Sequence, residues 1–297
     1  MYNKRMAYIA ITVDNLNEID DYIQAGAEEF IFALANCHFS SLTSFSKEYL
    51  VTFKKKILKK KKMTVLMNRL FSQKQIAKAQ DDLVYLLKEG IDNILFADPG
   101  LLRKAKQIDA IDKLIYSPET LLTSSYDAQI WLSLGLKKVV ISPLLTAKEI
   151  MLIASLVPHL SLPIHGYQIM SVSQRHLLSA YQKYSGVQMQ ARDNQKLWIQ
   201  ETNRQGHMPI YESEFGTVIY TDFVLQSFQH LHKFVEMGIE RLEINTHYLS
   251  KEESILAIQL YKAILSGKDG KQCEEEYRKA FSDLPLEDGY YGQKTIR

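Results

Sequence analysis

Four segments of this chain share one grammar: AGAEEFIFAL (25–34), EGIDNILFAD (89–98), LGLKKVVIS (134–142) and MGIERLEINT (237–246). Each closes an amphipathic helical stretch. A glycine (Gly26, Gly90, Gly135, Gly238) stands where a helix C-terminus takes a left-handed residue, and a β-rich run follows after a short, mostly polar step. Helix, glycine, short loop and buried strand make the αβ half of a βαβ unit. Four more strand candidates fall between the repeats: AYIAITV (7–13), KMTVLMN (62–68), KLIYS (113–117) and LSLPIHG (160–166). Helical stretches at 15–25, 73–89, 124–134, 146–156 and 250–265 fill most of the gaps. Several strands are apolar on both faces, as parallel strands covered by helices must be. Eight such strands in about 250 residues indicate an α/β chain of the (β/α)8, TIM-barrel-like class. An open doubly wound sheet is the rival that spacing alone leaves standing.

The spacing also divides the chain. Barrel strands one to seven occupy 1–166, with strand seven ending at Gly166. An insertion fills 167–237, and the last strand, a C-terminal helix and a tail fill 238–297. Inside the insertion, MPIYESEFGTVIYT (208–221) reads as a β-hairpin around a Gly-containing turn, and a helix from Asp222 to Met237 leads back to the barrel. Connections after barrel strands lie on the catalytic face, so this insertion is expected to cover or complete the site.

Bulk composition narrows the setting. At 297 residues, 46% hydrophobic and 24% charged, the chain suits one large globular domain or two ordinary ones, and a net charge of +2 forces no nucleic-acid reading. Two cysteines, Cys37 and Cys273, provide neither a Cys-only zinc site nor a four-thiolate iron–sulfur site, and a reducing cytoplasm is the expected location. Lys4 and Arg5 precede an apolar run, but it stops at Asp14 without a small-residue cleavage pattern and reads as a first strand. No stretch has transmembrane length, so no membrane partner is expected.

In a barrel, strand ends nominate the site. They are Asn36, Cys37 and His38 after strand two, Asn68 and Arg69 after three, Asp98 after four, Ser117 and Glu119 after five, and Ser142 after six. His165 ends strand seven, while Asn245 and His247 end strand eight. Acids, bases and a guanidinium together suit a polar small molecule. Each has a bland reading too. Asp98-Pro99-Gly100 equally makes a helix N-cap with proline at the first helical position. Glu119, after Pro118, equally favours the positive end of the next helix. A hydrogen-bonded core histidine is the lesser reading of His165, and Cys37 is more often a small buried hydrophobe than a nucleophile. The chain has no HExxH, GxSxG, Walker A or GxGxxG motif, and no metal site is expected. KKKILKKKKM (54–63), over a stripe of Leu50, Ile57 and Leu58, is either a solvated outer face or a sequence-blind phosphate contact.

The stretch PIHGYQIMSVSQRHLLSAY (163–181) resembles the signature of the collagenase-like peptidase family U32, close to HGALCxSxSGRCxLS, through His165-Gly166, Ser171, Ser173, Arg175 and Leu177-Leu178-Ser179. SPETLLTSS (117–125), WLSLGLKKVVISPLLTAKEI (131–150), MPIYESEFGTVIYTDF (208–223) and MGIERLEI (237–244) extend the resemblance over most of the chain. It departs from the family where cluster cysteines are expected. Ile169 and His176 take the first two positions, RDNQKLWIQE (192–201) lacks the second pair, and Asn245-Thr246-His247 replaces a Glu-Gly-Arg. An iron–sulfur cluster is therefore not expected in this chain.

The resemblance implies a cysteine-poor, short member acting in prephenate-dependent formation of 5-hydroxyuridine at the tRNA wobble position, beside a longer cluster-bearing paralogue. It implies catalytic roles for His165, Arg175 and Glu119. Arg69, Asn68, Asp98, His176, Asn245 and His247 are then ligand-binding, with tRNA or a prephenate-like carboxylate at the barrel mouth. Arginine suits such anions through its planar fork of donors. Two other readings stay open: peptide hydrolysis, for which Cys37-His38 offers the one adjacent thiol and imidazole, and a non-catalytic scaffold for the longer partner.

Overall fold

The computed structural model of the chain describes residues 7–56, 58, 60–202 and 206–293; Lys4, Arg5, Ile57 and Lys59, used in the sequence reading, lie outside the described residues. Six short parallel strands come first: β1 (Tyr8–Thr12), β2 (Glu29–Ala33), β3 (Lys62–Met67), β4 (Asn93–Phe96), β5 (Leu114–Tyr116) and β6 (Lys138–Val140). Next come β7 (Leu160–Ser173), β8 (Trp198–Ile199), β9 (Met208–Ser213), β10 (Gly216–Leu225), β11 (Ile239–Ile244) and β12 (Leu286–Glu287). Strands β1 to β7 pair in sequence order, and β11 pairs in parallel with both β1 and β7, closing an eight-stranded barrel. Closure decides against the open sheet.

Helices α1 (Ile19–Ala25), α2 (Lys47–Lys56), α3 (Ile76–Lys88), α4 (Pro99–Gln107), α5 (Ser125–Ser133) and α6 (Ala147–Leu156) link the early strands. They are followed by α7 (Leu177–Ser185), α8 (Leu231–Met237), α9 (Lys251–Leu265) and α10 (Gly270–Ala280). The repeated glycines do what the pattern requires, with φ of 113° at Gly26, 91° at Gly90, 102° at Gly135 and 120° at Gly238. Strand alternation sorts the core into two shells. Ile9, Ile11, Phe30, Phe32, Val65, Met67, Ile94, Phe96, Leu162 and Leu242 pack outward beneath the helices, while Ala10, Ile31, Ala33, Leu66, Leu95, Ile115 and Val140 fill the barrel itself.

Below that apolar layer the floor is polar. Arg241, fully buried, donates through Nε to Glu29 Oε1 at 2.8 Å and through Nη1 to Ser161 Oγ at 3.0 Å, and it pairs with Glu243. Thr64 donates to Glu29 at 2.6 Å. Burial opposes ionisation of Glu29, but the guanidinium and these donors hold its carboxyl below the ordinary value. Much of the lysine-rich run is spent beside this floor. Lys54 pairs with Asp92 and Lys55 with Glu89, Lys61 donates to Ala27 O at 2.9 Å, and Lys62 lies 4.5 Å from the Tyr8 ring. The run therefore lies toward the N-terminal ends of the strands, opposite the mouth.

The insertion departs from expectation at both ends. Strand seven does not stop at Gly166: β7 continues to Ser173, and its outer half pairs antiparallel with β10, which pairs with β9, and that with β8. Gly166 is the joint. Its φ is 102°, and a Cβ there would lie 2.0 Å from Asn245 O, so only glycine lets the strand leave the barrel at this point. The expected helix from Asp222 is strand up to Leu225, and α8 begins at Leu231. Val224 and Leu225 find backbone partners in β12 and β7, which outcompete a helix for the same groups. The hairpin at 208–221 stands as read.

Candidate functional site at the barrel mouth

At the C-terminal ends of the strands, a cavity of about 80 Å³ is walled by Thr12, Ser40, Ser117, Glu119, Thr120, Gln168, Glu243, Asn245 and His247 over a base of Ile31, Leu66, Leu95 and Val140. Alternation explains the lining. Thr12, Glu243 and Asn245 follow the inward phase of their strands, as do Asn68 after Leu66 and Ser117 after Ile115. The insertion supplies Gln168 and Ile169, and Tyr220 on β10 donates to Ser40 O at 2.6 Å, tying the hairpin to the loop after β2.

Glu119 is the central group. It sits at φ 58°, a left-handed conformation that a β-carbon resists, just after Ser117-Pro118. Ser40 Oγ donates to its Oε1 at 3.2 Å, and Asn68 Nδ2 donates to the same oxygen. Asn68 Oδ1 is a buried acceptor with no donor among the described residues. Part of the Glu119 side chain faces the cavity, yet protein crowds the carboxyl. Burial, reinforced by the nearby Glu243 charge, pushes its pKa up to about 7. At neutral pH the group is thus poised between proton donor and acceptor.

Across the mouth stands a second polar set. His247 Nδ1 lies 2.6 Å from Asp14 Oδ2, so Nδ1–H donation to the carboxylate orients the ring. The His247 amide donates to Asn245 Oδ1 at 3.0 Å, Asn245 Nδ2 donates to Tyr167 O at 2.8 Å, and Thr12 Oγ1 accepts from the Thr246 amide at 2.8 Å. An acid–base carboxyl and an oriented imidazole therefore line one cavity: groups for proton transfer and hydrogen-bonded positioning.

The other nominated residues lie elsewhere. His165 is fully buried outside the barrel wall, its ring nitrogens 3.2 Å from Tyr261 Oη and 3.2 Å from Tyr277 Oη, with Phe228 at 5.7 Å between centroids. Burial drives its pKa down to about 3, so it is a neutral core histidine. Asp98 caps α4: Oδ1 accepts from the Gly100 amide at 2.7 Å and Oδ2 from the Phe71 amide at 2.9 Å. Arg175 is exposed where β7 ends, and its backbone carbonyl accepts from Thr217 Oγ1 at 2.8 Å. His176 lies 4.0 Å from Glu212 of the hairpin. Arg69 points away from the mouth into a separate lateral cavity with Asn36 and Cys37. The expected single ring is thus resolved into a mouth, a side cavity, a strand tip and a core histidine. Thr12, Asp14, Ser40, Gln168 and Glu243 escaped the sequence reading; counting back in twos from Asn245 and along β1 points to Glu243 and Thr12.

Residues 14–296 match the sequence model of Peptidase family U32. The chain belongs to peptidase family U32. This U32 chain is 26% identical over 260 residues to tRNA hydroxylation protein P2 of Bacillus subtilis (strain 168), covering 86% of this chain and 84% of that protein. It is 24% identical over 249 residues to tRNA hydroxylation protein P of Escherichia coli (strain K12), covering 68% of this chain and 55% of that longer protein. Phosphoribosyl anthranilate isomerase in complex with reduced 1-(o-carboxyphenylamino)-1-deoxyribulose 5-phosphate superposes with a TM-score of 0.50 at 8% identity, over 87% of this chain and 100% of that one, a likeness of fold alone.

Family membership raises the question of a four-thiolate cluster, and the donor set does not fit one. Ile169 packs with Leu42, Tyr211, Val218 and Tyr220, and His176 stands at the other signature position. The chain's two thiols are separated: Cys37 borders the side cavity, while Cys273 lies in α10 with Sγ 3.9 Å from Leu260 O. Cys37 is no better as a nucleophile. Burial raises its thiol to about 12 and lowers the neighbouring His38 to about 4, the reverse of a thiolate–imidazolium pair. The peptidase alternative is not favoured. No helix among the described residues is long and apolar enough to cross a membrane.

Proposed function

We propose that this U32 chain takes part in the hydroxylation of a tRNA uridine, with the mouth around Glu119 as its working site. Similarity to tRNA hydroxylation protein P2 along 86% of the chain carries the reading, and the poised carboxyl gives it a chemical centre. In the finer form of the proposal, the product is 5-hydroxyuridine at the wobble position and a prephenate-like carboxylate is the small ligand. Protonated Glu119 and the hydroxyls of Ser117 and Thr120 are donors on the cavity wall. A cavity of about 80 Å³ takes a few water-sized groups, so such an acid enters with one end only. The chain's own residues supply proton transfer at Glu119 and positioning by His247, Asn245 and the cavity hydroxyls. Converting C5–H to C5–OH is a two-electron oxidation, so the proposal also requires an oxygen-donating oxidant that accepts those electrons and that this chain's side chains do not supply.

The proposal includes a longer U32 paralogue as partner, and one outer face supports it. Tyr126, Ile130 and Leu134 repeat every four residues along and just past α5, at 79%, 60% and 46% exposure, beside Leu152 and Leu156 on α6 at 59% and 54%. Aromatic and aliphatic side chains exposed together on one face are a feature of protein interfaces. Ile130→Asp is expected to abolish copurification with the paralogue while leaving thermal stability unchanged; full retention of the complex removes this face from consideration.

Nucleoside mass spectrometry of tRNA tests the function. A deletion strain should lose hydroxyuridine, regain it with the wild-type gene, and fail to regain it with Glu119→Gln. Unchanged hydroxyuridine in the deletion strain, with no redundant pathway operating, defeats the proposal.

A further inference from the structure

Beside the mouth lies the larger cavity, about 370 Å³, bordered by Arg69, Lys74, Lys78, Phe71, Phe215 and Glu214 among others. It is built by four separate elements: the loop after β2, the loop after β3, the first half of α3, and the turn of the β9–β10 hairpin. Arg69 is half-buried, and its guanidinium carbon sits 4.1 Å from the centroid of Phe215 and 5.8 Å from that of Phe71. Of its five N–H donors, one group is engaged: Nη1 donates to Asn36 O at 3.2 Å. No carboxylate among the described residues lies within ion-pair distance of it. Asp82 at the back of the cavity is already taken by Lys47 and by Lys78, the latter at 3.5 Å. A guanidinium stays charged when partly desolvated, and its planar fork of donors matches carboxylate and phosphate oxygens. The feature makes sense as one half of an ion pair.

The surroundings narrow the anion. Lys74 and Lys78 add positive charge, Phe71 and Phe215 add ring faces, and Arg69 directly follows Asn68, which donates to Glu119. Cation and aromatic together are how proteins hold unpaired nucleotides, by phosphate contact and base stacking. We propose that this side cavity binds a phosphate, and the base next to it, of the RNA strand whose reacting nucleotide occupies the mouth. The inference rests on the tRNA reading above and adds the place where the strand is gripped. Glu214 and Asp82, the latter shared with Lys47 and Lys78, are the opposing charges at this cavity, and they temper affinity.

The test is fluorescence anisotropy with the full chain and a labelled anticodon stem-loop RNA, across a salt series. Arg69→Ala is expected to weaken binding tenfold or more and to reduce the salt slope by about one. Arg69→Lys should restore part of the affinity, and Glu214→Gln should tighten binding. The Arg69 side chain makes a single hydrogen bond among the described residues, and its backbone amide bond to Cys37 O survives substitution, so unchanged thermal melting is the folding control. Equal affinity of wild type and Arg69→Ala overturns the proposal, as does absence of RNA binding by a wild-type chain that supports hydroxyuridine in cells. Loss in Arg69→Ala of prephenate binding alone, with RNA binding intact, assigns the cavity to a small acid and also overturns it. The deletion-strain measurement judges the tRNA reading separately, so the two failures are distinguishable.

Discussion

Replacing Glu119 with Gln should make the chain more stable in mild alkali while removing its function. In the folded chain, burial and the Glu243 charge hold the Glu119 carboxyl from 4.5 up to about 7. Below about pH 4.5 both folded and unfolded chains carry the proton, and the group imposes no penalty. Between about 4.5 and 7 the unfolded chain releases its proton while the folded chain keeps it, so stability is lost as pH rises. Above 7 the full penalty is in place. At 1.36 kcal/mol per tenfold in the ionisation constant, the gap corresponds to roughly 3 kcal/mol. Solvent in the open mouth reduces this to roughly 1–2 kcal/mol. Gln keeps an acceptor for Ser40 and Asn68 and never ionises. Urea unfolding from pH 4 to 8 should show the variant close to wild type at the acid end and more stable by that amount at pH 8. A difference that does not change with pH, or a variant less stable than wild type at pH 8, would refute the reasoning.

Three further outcomes follow from the same structure. Arg241→Met strands the buried Glu29 carboxylate and should cost about 3–5 kcal/mol in chemical denaturation, unless a second change neutralises Glu29. His165→Phe forfeits two tyrosine partners, costing about 1–3 kcal/mol, yet should leave tRNA hydroxyuridine intact; loss of the modification in a folded variant would return His165 to the chemistry. Because burial lowers the His165 pKa to about 3, its stabilising contribution is complete above about pH 6.5 and disappears as pH falls toward 3. His165→Phe should therefore flatten that acid limb, leaving the part due to His38, whose pKa is lowered to about 4. Gly166→Ala drives a methyl to 2.0 Å from Asn245 O at a φ of 102° and should cost at least about 3 kcal/mol, read as a lower melting temperature or insoluble expression.

The order of elements was written locally. Each repeat couples a helix to a glycine with positive φ and then to a buried strand, and those choices depend on near neighbours in the chain, so the eight barrel strands and their direction were legible. Rim residues were legible only as a set. Along a strand, consecutive side chains face opposite ways, so Asn68 reaches Glu119 in the mouth while Arg69 enters the side cavity. His165 shows where counting fails. It follows Ser161 and Pro163 in the inward phase, but the pairing of β7 with β11 slips between Glu243 and Ile244, and the bulge turns His165 outward to Tyr261 and Tyr277. The length of β7, the strand at 222–225 and the raised Glu119 pKa were likewise settled by tertiary surroundings: β10, β12, and the burial of Glu119 with the Glu243 charge nearby. Sequence alone determined the order of helices and strands and the polarity of the strand ends, because helix, turn and strand preferences act over a few residues; pairing of β11 with both β1 and β7 closed them into a barrel. Tertiary structure alone decided which rim residues share a cavity, because facing, burial and charge depend on register between strands far apart in the chain.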